Sequence, residues 1–210
     1  EIETGEREER DIPDKKDYPN TTSKKFKKDL YNFFFDSKFR GVKALEVGTH
    51  RGHTTKVMSH LFKEVITMNI NDKGTDWIPN QEEDKNITYF VNDSYGGRPW
   101  PGRNMTGFWN EEIEEKFRGV QVVLLDCLRE YEKVKTDLAN SLELKPKQEK
   151  YIIIEDYGNE KFEGVKQAVD EVCWFGHMEI VQGIGYPAGT HYGTMKYNDW
   201  EAVICRTLKK

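Results

Sequence analysis

A chain of 210 residues with 36% hydrophobic, 33% charged and 12% aromatic side chains can bury one core and is too apolar to stay structureless. Thirty-two Lys plus Arg against 37 Asp plus Glu leave a formal charge of −5, so no whole-molecule positive field draws it to nucleic acid or to an anionic membrane. No run approaches the roughly 20 apolar residues that cross a bilayer, and the opening EIETGEREERDIPDKK lacks a signal peptide's apolar stretch; a cytoplasmic protein with no membrane span and no nucleic-acid partner is expected.

Residues 1–25 are polar, acidic first and then basic through Lys24 and Lys25, and read as a tail or linker ahead of a single domain over 26–210. The basic run continues through Lys27 and Lys28, where it forms the solvated side of a first helix. Phe26, Leu30, Phe33 and Phe34 recur through it at helical spacing. From Gly41 onward short apolar runs alternate with segments of helical period. The strand candidates are VKALEVG from Val42, EVITMNI from Glu64, ITYFV from Ile87, VQVVLLD from Val120, YIIIED from Tyr151, MEIVQG from Met178 and EAVICR from Glu201. Between them, apolar stripes mark helices at Val57, Leu61 and Phe62; at Trp109, Ile113 and Phe117; at Tyr131, Val134, Leu138 and Leu142; and at Phe162, Val165, Val169 and Val172. Middle strands apolar on both faces are those of a parallel sheet covered on either side. The expectation is an α/β fold, Rossmann-like and doubly wound, with a mostly parallel seven-stranded sheet. Its last two strands, with no helix between them, pair as an antiparallel hairpin and give an antiparallel edge strand.

Cys127, Cys173 and Cys205 are odd in number and mostly embedded in apolar runs, which favours buried thiols in a reducing compartment. Asn-x-Thr triplets begin at Asn20, Asn86 and Asn104; without a secretion signal they read as coincidences. The first residue is Glu1 and not Met, which suggests a processed product or a piece of a longer polypeptide fused to other domains. Oligomeric state is not legible.

In an open parallel sheet, ligands bind beyond the carboxyl ends of the strands. The first strand ends in Glu46-Val47-Gly48-Thr49-His50-Arg51-Gly52-His53, a Gly-x-x-x-Gly turn running into a helix. Its glycines permit close backbone approach of a ligand, and amides at a helix start favour an anionic group. A dinucleotide fingerprint wants Gly at position 50, where this chain has His, so NAD is disfavoured.

Glu46-Val47-Gly48-Thr49-x-x-Gly52 after an apolar strand resembles motif I of class I S-adenosylmethionine-dependent methyltransferases. LLDCLREYEKVKTDL from Leu124 and LKPKQEKYIIIEDY from Leu144 are similar to the group containing cephalosporin-hydroxylase-like proteins and rhamnosyl O-methyltransferases. A fainter likeness is to a methyltransferase domain carried by large glycan-building polypeptides of chloroviruses. The resemblance covers roughly residues 41–175. It implies that Gly48, Thr49 and Gly52 cradle the methionine part of S-adenosylmethionine and that Glu46 supports its amino group. The second strand would then end in an acid gripping both ribose hydroxyls; Asn69 and Asn71 stand there instead, with Asp72 just beyond. An amide loses charge assistance, weakening that contact by about 1 kcal/mol. Asn92-Asp93-Ser94 matches the place where the adenine edge is held, with Asp93 and Ser94 as the binding residues; a plain polar turn is the alternative.

Asp126 at the end of the fourth strand, with Glu155 and Asp156 at the end of the fifth, would bring three carboxylates onto neighbouring strand tips. Unpaired, they repel, so a divalent cation, magnesium first and manganese second, is expected among them; Asp126 also belongs to the cofactor set. The alternative is that Asp156 caps a helix while Glu155 pairs with a Lys. A cation lowers the pKa of a bound hydroxyl and fixes its position, and a vicinal diol of a sugar or catechol could chelate it. Related proteins often have His near Arg129, which cannot act as a base and is assigned to orienting substrate. His53 and His191 are the candidate bases. The polar run from Asp93 to Arg103 reads as a lid, and Trp100, Tyr186 and Tyr192 are candidates for stacking on an acceptor. The expected function is a metal-assisted O-methyltransferase acting on a rhamnose-like sugar hydroxyl of a glycan. A catechol-type small-molecule O-methyltransferase and a non-catalytic cofactor-binding domain are the alternatives.

Overall fold

The computed structural model describes residues 22–69, 85–91, 116–126, 128–144, 149–192 and 195–208. Helix α1 (Lys24–Phe34) opens on Ser23, whose hydroxyl accepts from the Phe26 amide at 3.0 Å, satisfying one of the donors a helix start leaves over. Its stripe Phe26, Leu30 and Phe34 is fully buried. Lys25 and Lys28 face solvent as expected, but Lys27 does not: it is buried, and its ammonium donates to the Thr22 carbonyl. A short 3₁₀ turn (Ser37–Phe39) leads into β1 (Lys43–Val47), followed by α2 (His53–Leu61), β2 (Glu64–Asn69) and β3 (Ile87–Val91). Then come β4 (Val120–Leu125), α3 (Tyr131–Glu143), β5 (Tyr151–Glu155) and α4 (Glu163–Trp174). The chain closes with β6 (Met178–Ile184), the two-residue strands β7 (His191–Tyr192) and β8 (Met195–Lys196), and β9 (Ala202–Thr207).

Seven strands form one sheet in the order β3-β2-β1-β4-β5-β9-β6. The β3 to β5 portion is parallel throughout, while β9 runs antiparallel to both of its neighbours. The antiparallel strand is therefore one place in from the edge, and β6 is the edge. A strand returning directly from β6 needs no crossover to pair with it, and inserting beside β5 buries β9's run Ala202 to Cys205 completely.

Strand alternation sorts the core into two layers. Leu45, Val47, Ile66, Val123, Ile152 and Ile154 pack with Val134, Leu138, Val165 and Val169 of α3 and α4. Ala44, Val65, Val122, Leu124, Ile153 and Ile204 pack with Phe26, Leu30, Val57 and Met58 of α1 and α2. At the amino ends of the strands an aromatic cluster ties α1 down: Phe34 meets Phe39 at 4.8 Å, Phe62 at 5.3 Å and Tyr151 at 5.9 Å, all edge to face. The opposite, carboxyl, end is left to the loops. No helix among the described residues is long and apolar enough to cross a membrane.

Candidate active site

Two neighbouring strand tips build the first half of the site. Beyond Val47 the chain turns through Gly48 (φ 106°), His50 (φ 45°) and Gly52 (φ 75°) into α2. His50 thus adopts the left-handed conformation that glycine would take at the corresponding place of a dinucleotide turn; His is one of the residues that tolerates it. The Gly48 and Thr49 amides are tied to the Met68 carbonyl at 2.9 and 3.1 Å, and the Gly52 amide to the Thr49 carbonyl at 2.8 Å. These bonds fix the turn's shape and join the ends of β1 and β2. Asn69, the last residue of β2, stands at the same end. Asn71, Asp72, Asp93, Ser94, Trp100 and the rest of the expected lid lie outside the described residues, as does Cys127. Cys205 is buried and Cys173 partly so, both as free thiols.

Glu46 lies beneath that turn and is only 1% exposed. Its Oε2 accepts from the hydroxyls of Thr55 on α2 and Thr67 on β2, the latter at 2.6 Å, and Thr67 shares a 2.6 Å hydroxyl contact with Thr49. Burial pushes its carboxyl up to about 8; the two threonine hydrogen bonds oppose the rise and nearby Asp126 adds to it. A buried acid beneath a turn with two positive-φ glycines has the chemistry to face an ammonium such as the amino group of S-adenosylmethionine. Thr55 and Thr67 were invisible as site residues in the sequence, because only the register that sets Thr67 beside Glu46 reveals them.

The second half lies at the tips of β4 and β5. The Asp126 amide donates to the Val47 carbonyl at 2.9 Å, placing this acid beside the β1 turn. Glu155 ends β5, and Asp156 follows with φ 57°, an uncommon conformation for any residue but glycine. All three carboxylates stand within reach of one group. That group is Arg129: its Nε donates to Asp156 Oδ2, and its Nη2 stands 3.4 Å from Asp126 Oδ1 and 3.5 Å from Glu155 Oε2. Burial opposes the guanidinium's charge, yet Glu155, Asp156 and Asp126 together raise its pKa above the ordinary value. The Phe162 ring lies 4.9 Å below it.

That arrangement does not fit the expected divalent ion. The ion was inferred from three uncompensated acids, and Arg129 already compensates them; among the described residues, no three acid, His or Cys side chains gather as a ligand set. The alternative roles also change. Asp156 Oδ1 accepts from Asn159 Nδ2 at 2.8 Å instead of capping α4, whose N-cap is Phe162, and a cationic neighbour of Glu155 is Arg129. Asn159, three residues beyond Asp156, is a third residue of the candidate site that the sequence reading did not single out. Arg129 is held in place by close packing, since a Cβ on Gly164 of α4 would stand 2.8 Å from the Tyr131 amide nitrogen and 3.1 Å from the Arg129 carbonyl oxygen. A small cleft opens here, walled by Leu125, Leu128, Val134, Ile154 and Val165 with Asp126, Arg129, Asp137 and Glu155 at its polar side.

The two histidines part company. His53 begins α2; burial, aided by Lys27, Arg51 and His50, lowers its pKa to about 4, so it is neutral near pH 7 and a weak base. His191 lies exposed on the β7–β8 hairpin. That hairpin joins the turn after β5: the Glu160 amide donates to the Lys196 carbonyl at 3.0 Å, Asn159 Nδ2 reaches Met195 Sδ at 3.3 Å, and Asn159 bridges Tyr197. His191 is thereby carried to the same end of the sheet as the acids. Tyr186 and Tyr192 stack on each other at 4.4 Å, and Tyr186 stacks on buried Tyr197 at 6.4 Å.

No protein-family model and no curated protein matches the chain. Solved structures do. The O-methyltransferase TomG of Streptomyces achromogenes, involved in tomaymycin synthesis and solved with SAM, superposes with a TM-score of 0.61 at 8% identity, covering 93% of this chain and 86% of that one. A Streptococcus mutans protein solved with SAH gives 0.58 at 13% identity, covering 86% and 97%. Aeropyrum pernix fibrillarin, solved with S-adenosyl-L-methionine, gives 0.53 at 16% identity, covering 81% and 67%. At such identities the likeness is one of architecture: the chain has the Rossmann-like methyltransferase fold.

Proposed function

We propose that this chain is an S-adenosylmethionine-dependent O-methyltransferase whose acceptor is a rhamnose-like sugar hydroxyl of a glycan, in keeping with the resemblance to the rhamnosyl O-methyltransferase group and to the glycan-building polypeptides of chloroviruses. The observation that carries the methyl-transfer reading is the convergence, at one end of the sheet, of the Gly48–Gly52 turn over buried Glu46 with the acid cluster one strand away. When bound, S-adenosylmethionine supplies an electrophilic methyl group. Gly48 and Gly52 let the donor's amino-acid end approach the backbone, and Glu46, on losing its proton, faces its ammonium. Asp126, more exposed at 20% than Glu155 at 4% or Asp156 at 2%, is the carboxylate placed to accept a hydrogen bond from the acceptor hydroxyl and orient it for in-line transfer. His191, on its hairpin, is the candidate to take up the released proton. Metal assistance is not carried into this reading, because Arg129 already meets the acids it would need.

The structural neighbours do not choose the acceptor: they include an O-methyltransferase of tomaymycin synthesis and a 23S rRNA methyltransferase. The test is mass spectrometry after incubation with S-adenosylmethionine and a panel of rhamnosides, other glycosides and catechols. A gain of one methylene equivalent on rhamnosides supports the proposal. Transfer confined to catechols would replace the acceptor, and binding of S-adenosylhomocysteine without transfer to any acceptor would reduce the chain to a cofactor-binding domain.

A further inference from the structure

We infer that Arg129 is the site's resident cation, seated among Asp126, Glu155 and Asp156 in the place a divalent ion would take, so that methyl transfer by this chain neither binds nor needs such an ion. The inference rests on the methyltransferase reading for its chemistry, but its physical content does not. Three carboxylates on adjacent strand tips would repel one another strongly in a partly buried cleft. One guanidinium meets all three, donating through Nε to Asp156 and presenting Nη2 to Asp126 at 3.4 Å and Glu155 at 3.5 Å.

Its seat is also built from the other sides. The Phe162 ring underlies the guanidinium at 4.9 Å, Asn159 holds the second oxygen of Asp156 at 2.8 Å, and Gly164 lets α4 approach the Arg129 backbone more closely than any side chain would allow. Arginine suits this post because it remains charged at any pH the protein would meet, and its planar fork reaches several acceptors at once. It thus offsets the charge of the acids and fixes the positions of their carboxylates. Arg129 is accordingly a positioning residue.

The decisive measurement is titration of the full chain with Mn²⁺, followed by electron paramagnetic resonance, without cofactor. Wild type should show no saturable site, and methyl transfer should survive exhaustive chelation. Arg129→Gln should expose the acids and gain one saturable Mn²⁺ site per chain, at least about tenfold tighter than any residual association seen with wild type, once the like charge is gone. The gain should vanish in Arg129→Gln combined with Asp156→Asn. Arg129→Lys, which keeps the charge, should behave as wild type in the titration. One Mn²⁺ per wild-type chain, lost in Asp126→Asn, would overturn the inference; so would a folded Arg129→Gln variant that takes up no Mn²⁺. Should Arg129→Gln fail to fold, the wild-type titration decides alone. Calorimetry with S-adenosylhomocysteine distinguishes failure of the broader reading: absence of binding there removes the methyltransferase and leaves the Mn²⁺ result intact.

Discussion

Glu46 is the residue whose chemistry depends most on being inside. A glutamate raised to about 8 by burial is mostly protonated near pH 7, whereas facing an ammonium requires the carboxylate. Affinity for S-adenosylhomocysteine should therefore rise between about pH 7 and 9 with release of a proton. Calorimetry in two buffers of different ionisation enthalpy measures this, and Glu46→Gln should flatten the profile. The same shift has the opposite sign for stability. Because the folded pKa lies above the unfolded one, Glu46 contributes stability that is complete below about pH 4.5 and lost as pH rises through about 8. Wild type should lose melting temperature across that window more steeply than Glu46→Gln. Asp156 poses a separate test, since its left-handed backbone and both of its oxygens are committed. Asp156→Asn keeps a residue that tolerates φ 57°, while Asp156→Ala loses both the conformational tolerance and the bonds. Urea denaturation should find the alanine variant less stable than the asparagine one by about 1–3 kcal/mol.

Helix packing decides what a substitution does at Gly164. In an isolated helix, Gly→Ala gains roughly 1 kcal/mol. Here the added methyl would stand 2.8 Å from the backbone nitrogen of Tyr131, which cannot yield as a flexible side chain can. Overpacking should win, and Gly164→Ala should lower stability by about 1–3 kcal/mol, read as a fall in urea midpoint at constant slope. Lys150 does comparable work at the other end of α3. Only 1% exposed, its ammonium donates to the carbonyls of Ser141, Leu142 and Leu144, satisfying acceptors that the helix end leaves open. Lys150→Met keeps the stem and strands those carbonyls, at a cost of about 1–3 kcal/mol in the same denaturation measurement. Neither effect follows from local propensity. Both arise where one element's end meets another's backbone.

On the scale of the whole molecule, the turn proposed to receive the cofactor leads from β1 into α2 and is hydrogen-bonded to the end of β2, with β4 tied to the end of β1, so a ligand seated there should stabilise the sheet as one body. S-adenosylhomocysteine at about 100 times its dissociation constant should add about 2.7 kcal/mol, visible as a saturable rise in melting temperature that NAD does not produce. Much of this framework was legible in the chain itself. Apolar strands of β-branched residues alternating with stripes such as Val134, Leu138 and Leu142 leave little choice but a covered parallel sheet, because each period can bury only one kind of face. Gly48 and Gly52 after such a strand marked the turn at the carboxyl end of β1 for a similar reason, since backbone that must turn left-handed favours glycine. The hairpin β7–β8 was not legible: two-residue strands carry no period to detect. Nor was the burial of Lys27 inside a basic run, which required Thr22's carbonyl to be brought over it. The sequence by itself determined the layers, the seven strands of the main sheet and the end of that sheet where acids and glycines gather, from periodicity and residue type along the chain. Only the tertiary structure decided where β9 inserts, which threonines hold Glu46, and that Arg129 neutralises the three carboxylates. Those outcomes depend on distances between residues remote in sequence or on different strand tips, and no pattern along one dimension encodes them.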